Sequence, residues 1–192
     1  MIEMMIPLLK AQSFIEDARK FDPKTDVNFW DFGWIRETEV GMPGLSINRW
    51  YFYVFPDLAC DLTRPWLEVP LEFNNISRGK ILINRTERYR NETIDYSFLK
   101  KYEDNCLFIG TMKEYNGFTS QYNLQIKKLH VNNFLEYAQA IQQCAFYISN
   151  QSQGFQLAEG IKHPRILEVC RYAPNVIVNG PDAYDFMSTA LS

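Results

Sequence analysis

FYISNQSQGFQLAEGIKHPRILEV, residues 146 to 169, decides how this chain folds. Phe146 to Ile148 is a short apolar run of the kind that forms a buried strand, and Ser149 to Gly154 is a polar turn. Phe155, Leu157, Ala158 and Ile161 then fall on one side of a helix, and Arg165 to Val169 reads as a second strand. A helix that starts straight after a strand leaves its first backbone N–H groups without carbonyl partners. In an open α/β sheet that terminus lies beyond the carboxyl ends of the strands, where anionic ligands bind. Asn150, Ser152 and Gln153 add side-chain donors there. A helix N-cap at Ser149 or Ser152 explains the same residues with no ligand at all.

Working outward from this stretch, the chain alternates strand and helix from Lys80 onward. Lys80 to Asn84 and Cys106 to Ile109 are apolar strands, separated by a helix from Asp95, its cap, to Tyr102. Gly110 and Thr111 turn into a helix from Lys113 to about Gln121, and Leu124 to Leu129 alternates like a strand near a sheet edge. Asn133 with Glu136 has capping-box spacing, and Phe134, Leu135, Ala138 and Ile141 give the helix behind it one apolar face. Asn175 to Val178 reads as a last strand. Strands separated by helices of this length mean βαβ units with right-handed crossovers. The expected class is therefore α/β, Rossmann-like, with a mostly parallel sheet and helices on both faces.

The first 79 residues differ. Ile6 to Phe21 has helical spacing interrupted by Pro7, and Asp22 to Gly44 reads as irregular with one strand at most. Trp50 to Phe55 is nearly all aromatic, too apolar a segment to be left exposed. Trp66 reads as a packing anchor in a connector. The expected organisation is a partial, mixed N-terminal segment over 1–60, a connector over 61–79 and a Rossmann-like domain over 80–192.

Composition excludes several classes. The formal net charge of −3 favours neither nucleic acid nor anionic membrane as a partner. No apolar run is long enough to span a bilayer, and Met1 to Leu9 carries Glu3 and lacks the layout of a signal peptide. Cys60, Cys106, Cys144 and Cys170 form no CxxC pair; Cys106 and Cys144 read as small core residues of a reduced, cytoplasmic protein. His130 and His163 stand in no metal-ligand spacing, and His163, before Pro164, reads as a surface residue. GxSxG, Walker A and GxGxxG are absent, so neither a hydrolase elbow nor a dinucleotide fingerprint is indicated. Asp31, between Trp30 and Phe32, is the one acid in a markedly aromatic setting, where burial would raise its pKa.

Four clusters follow predicted strands. Arg85, Arg88 and Arg90, with Thr86, form a loop able to grip a diphosphate bidentately, unless Glu87 and Glu92 simply neutralise a solvated loop. Gly110 lets backbone approach a ligand, while Thr111 fits a plain N-cap as well as a ligand contact. The third cluster is the turn from Asn150 to Gly154. The fourth is Glu168, whose carboxylate suits ribose hydroxyls and equally suits a structural pair with Arg165 or Arg171.

Taken in order, RPWL (64–67), INRTERYRN (83–91), LFIGTMKEY (107–115) and the opening stretch resemble the C-terminal half of GT-B glycosyltransferase-like proteins, the broad group that includes heptosyltransferases. The resemblance covers roughly residues 60 to 182. It implies a nucleotide-sugar donor held without metal or other cofactor, with Arg85, Thr86, Arg88, Arg90, Gly110, Thr111, Glu114, Asn150, Gln151, Ser152 and Glu168 around it. The family's N-terminal domain, which supplies the base in inverting members, has no full counterpart here, so no catalytic residue is carried over. Three functions stay open: a glycosyltransferase-like protein, either a truncated or minimal GT-B or one half of a split enzyme with a partner chain; a non-catalytic nucleotide or nucleotide-sugar binder; and a structural or assembly protein. An incomplete N-terminal unit exposes apolar edges, so a homodimer or partner chain is expected through the region before residue 60.

Overall fold

The computed structural model describes residues 2–29, 31–41, 46–70 and 75–186. Its strands are β1 (Ile81–Asn84), β2 (Cys106–Ile109), β3 (Lys127–Leu129), β4 (Phe146–Asn150), β5 (Arg165–Glu168) and β6 (Ala183–Phe186). They form one six-stranded, all-parallel sheet in the order β3-β2-β1-β4-β5-β6. The order reverses between β1 and β4, as in a doubly wound Rossmann-like fold. β1 (ILIN), β2 (CLFI) and β4 (FYISN) are almost wholly buried, which is why they read as apolar runs rather than as alternating patterns.

Each face of the sheet has its own core. On one face α4 (Phe134–Gln143) and α5 (Gln153–Ile161) bring Ala138, Ile141, Leu157 and Ala158 against Leu82, Leu107 and Tyr147. On the other, Ile83, Phe108 and Ile148 pack against Phe118 of α3 (Met112–Tyr122) and against Tyr96 and Leu99 of a 3₁₀ helix, Tyr96–Asn105, capped by Asp95. That last element is 3₁₀ where the sequence suggested an ordinary helix. Only Lys127–Leu129 joins the ladder from the expected strand at 124–129, although Leu124 and Ile126 are also buried.

Three expectations need correction. Residues 175–178 are not a strand: Val176 and Val178 pack on Phe155, Leu167 and Val169, and the edge beside β5 is taken by β6. The helix expected over 6–21 is α1 (Ile2–Lys10), because Gln12 turns to the connector. Its Nε2 donates to Leu8 O (2.8 Å) and Glu68 O (3.0 Å), and its Oε1 accepts from Glu68 N–H (2.8 Å). The aromatic segment forms α2 (Ile47–Val54), which has no buried residue, and Tyr53 is 65% exposed.

Within 22–44 the regular element among the described residues is a 3₁₀ helix, Phe32–Glu37. Asp31 is exposed and caps it by accepting from Gly33 N–H (2.7 Å), so the expected burial is not found; Trp30 lies outside the described residues. In the connector, the N–H groups of Trp66 and Leu67 both bond Gly160 O, at 2.9 and 3.1 Å, and the Lys162 ammonium stands 4.5 Å over the Trp66 ring. A Cβ on Gly160 would lie 2.5 Å from Leu67 Cδ1, so a larger residue here would displace the Leu67 side chain.

Candidate functional site

Where the strand order reverses, the carboxyl ends of β1 and β4 lie side by side, with Asn84 opposite Ser149. A cleft of about 440 Å³ opens there. Its apolar wall comes from Met4, Ile109, Leu129, Val131 and Phe134, and its polar rim from Thr86, Thr111, Glu114, Lys128 and His130. Ser152, Gln153 and Gly154, the start of α5, close one end.

The floor is a closed hydrogen-bond network. Asn84 donates through Nδ2 to Ile109 O (2.7 Å), and its Oδ1 lies 3.2 and 3.0 Å from the Ser149 and Ser152 hydroxyls. Those hydroxyls are 2.8 Å apart, and Ser152 Oγ accepts from Phe155 N–H as the cap of α5. Behind them the buried Tyr137 and Tyr147 hydroxyls meet at 2.8 Å, and burial drives both phenols far above their ordinary pKa. A Cβ on Gly154 would lie 2.3 Å from each of these oxygens, so α5 can begin here only on glycine. The N–H groups of Gln153 and Gly154, ahead of the capped one, have no carbonyl within the helix to bond. A helix start of this kind favours an anion.

The second cluster adopts cap geometry. Thr111 Oγ1 accepts from Glu114 N–H (3.2 Å), and Glu114 Oε2 accepts from Thr111 N–H (2.8 Å) in a capping box that starts α3. Both residues still line the cleft. Gly110 is required by crowding, since a Cβ would meet Phe108 Cε1 at 2.9 Å and Glu114 Oε2 at 3.0 Å.

Arg85 and Glu168 point away from the cleft and bind each other. Both are buried; Arg85 Nε lies 2.8 Å from Oε2 and Nη2 lies 3.0 Å from Oε1. Arg85 also donates to Tyr122 Oη (3.0 Å) and Asn91 O (3.2 Å), while Glu168 accepts from Tyr96 O–H (2.7 Å) and Asn91 N–H (2.5 Å). Burial, with the Glu168 charge beside it, pushes the Tyr96 phenol well up. Glu168 thus makes the structural pair, with Arg85 in place of Arg165 or Arg171. Arg165 is held instead by Glu159, itself fully buried.

Asn150 is a loop clamp. Its Oδ1 accepts from the N–H and hydroxyl of Thr86, and its Nδ2 donates to Thr86 O (3.2 Å) and Arg88 O (2.6 Å). Gln151 does the same for the chain after β5, through Cys170 N–H (2.7 Å) and Ala173 O (2.7 Å). Of the loop arginines, Arg88 is exposed with its guanidinium over the Tyr89 ring, and Arg90 Nε donates to Thr86 O (2.8 Å). Among the expected site residues, then, Thr86, Gly110, Thr111, Glu114 and Ser152 share the cleft, and Arg88 and Arg90, in the loop after Thr86, do not line it.

Asn84, Lys128, His130 and Tyr137 were not singled out from the sequence as site residues. His130 stands just after the strand that ends at Leu129, so the strand-end rule used for Gly110 also reaches it. At the other end of β4, Cys144 Sγ lies 3.4 Å from His163 Nε2. Burial pushes that thiol up to about 12 and lowers the imidazole, so His163 is a partly buried packing residue and not a surface one.

Fold and cleft together define a Rossmann-like α/β protein. Comparison of the chain with protein-family models, with curated proteins and with solved structures found no match. Among the described residues no helix is long and apolar enough to cross a membrane.

Proposed function

We propose that the chain binds a nucleotide or nucleotide sugar in the β1/β4 cleft, as a GT-B glycosyltransferase-like, donor-holding protein. The observation that carries this reading is the start of α5, where Ser152, Gln153 and Gly154 line a cleft with an apolar wall. A base or ribose fits the wall of Ile109, Leu129, Val131 and Phe134, and a diphosphate fits the amides with Lys128 at the rim. Arg88 and Arg90 supply further positive charge, Arg85 being held by Glu168. Binding needs no metal in this reading. Chemical transfer is a separate matter, because Glu114 is engaged as a cap and no general base is assigned.

A thermal-shift panel of nucleoside diphosphates and their sugars at millimolar concentration tests the proposal. A ligand at about 100 times its Kd stabilises the folded chain by roughly 2.7 kcal/mol, and the Arg88→Ala/Arg90→Ala variant should lose most of that shift. Silence across the whole panel would remove the donor-site reading and leave the structural one.

A second observation concerns partners. Phe14, Val27 and Tyr53, at 68%, 75% and 65% exposure, are large apolar side chains facing outward before residue 60. They favour a second copy or a partner chain on that segment. Sedimentation velocity at micromolar concentration should show a dimer, and a monomer would count against self-association.

A further inference from the structure

Away from the cleft, Phe29, Asp31, Trp34, Glu37 and Phe55 line a separate cavity of about 320 Å³. Its walls are positioned by local geometry. Asp31 Oδ1 accepts from Gly33 N–H and starts the 3₁₀ helix Phe32–Glu37, in which residues three apart eclipse. Trp34 and Glu37 therefore project from the same side. Ile35, 1% exposed, anchors the opposite side, and Thr38 Oγ1 donates to Ile35 O (2.9 Å) at the end of the turn. Phe55 is braced edge-on by Phe32 at 5.8 Å and stands 6.2 Å from the Trp34 ring with 48° between planes. The rings make converging walls, not a flat platform.

The chemistry of the five side chains is one-sided. Three aromatic rings, whose faces carry negative potential, and two carboxylates with formal negative charge line the cavity, and no Lys, Arg or His lines it among the described residues. Trp34 stays 52% exposed and Phe29 58%, an unusual placement for such large rings. Apart from the Trp34 indole N–H, the lining offers no side-chain donor among the described residues. Sugar hydroxyls, which need donors and acceptors together, are therefore poorly matched. A cation clothed in methyl groups needs neither: its methyls pack on the rings, and its charge is attracted by ring quadrupoles and carboxylates alike.

We propose that this cavity binds a small organic cation with a methylated or quaternary ammonium head, of the choline type. The proposal is independent of the donor-cleft reading and stands if that reading fails. The probe is choline, titrated into the full chain and followed by tryptophan fluorescence and by broadening of the choline methyl resonance. The control is 3,3-dimethyl-1-butanol, which has the same shape without the charge. Choline should saturate one site, and the neutral isostere should bind about tenfold more weakly or worse. Trp34→Leu should weaken choline binding about tenfold, and Glu37→Gln several-fold. Glu37 is exposed and does not cap the helix, so that variant keeps its fold even if Trp34→Leu does not, which thermal melts of both will show. Equal binding of choline and the isostere, no saturable choline binding, or saturable binding of glucose in place of choline would each overturn the assignment.

Discussion

Arg85 shows how much one position turns on which way its side chain leaves the strand. Asn84 and Thr86 line the cleft, while Arg85 between them emerges on the opposite face of the sheet, among Tyr96 and Tyr122. There its guanidinium meets Glu168 bidentately, with both groups out of water. A buried pair of this kind is costly to break from one side, because the remaining charge has no partner. Glu168→Leu alone should therefore lower the unfolding free energy by about 3–5 kcal/mol, and Arg85→Met alone by a similar amount. The double variant should recover much of that loss, since two apolar side chains of like volume leave nothing charged behind. Urea unfolding of the three variants checks this. Additive losses in the double variant would mean that the two residues act separately.

At the scale of elements, the fold was legible where burial is two-sided. The runs ILIN, CLFI and FYISN carry their own signal, because a strand covered on both faces needs no alternation. The caps were legible for a similarly local reason: Asp95, Thr111, Asn133 and Ser152 each accept a backbone N–H two or three residues ahead. Residues 175–178 misled because an apolar Val-Ile-Val run fits a sheet edge and a covering loop equally well. β6, with exposed Tyr184 and Asp185, has the composition of neither core nor turn. Its edge position is settled by Arg165 N–H bonding Asp182 O at the entrance, a contact that no local pattern announces. The cleft was legible only as an address. The strand-end rule assembled Gly110, Thr111 and Ser152 correctly at one edge, but it could not say that Asn150 and Gln151 turn their amides onto neighbouring loops. That choice depends on which backbone groups those loops leave unpaired once they are folded over the sheet.

Across the whole molecule, the segments before residue 80 are tied into the sheet at several points. α1 places Leu8, 3% exposed, in the core that holds Leu82, Leu107, Ala138 and Ile141. Gln12 bonds the Glu68 backbone in the connector, and Ser13, through its N–H and its hydroxyl, bonds the Glu68 carboxylate and holds it below its ordinary pKa. Trp66 and Leu67 then fasten the connector to Gly160 at the end of α5, and Ile47 N–H bonds Asn175 O (3.0 Å) on the far side. Interlocked this way, the chain should unfold as one cooperative unit. Leu8→Ala removes a core side chain of α1 and should cost about 2–5 kcal/mol. Far-ultraviolet circular dichroism and tryptophan fluorescence should report a single coincident transition, moved to lower urea with its slope unchanged. An N-terminal unit folding on its own would instead separate the two probes, and the sheet's midpoint would stay where it was in the unsubstituted chain.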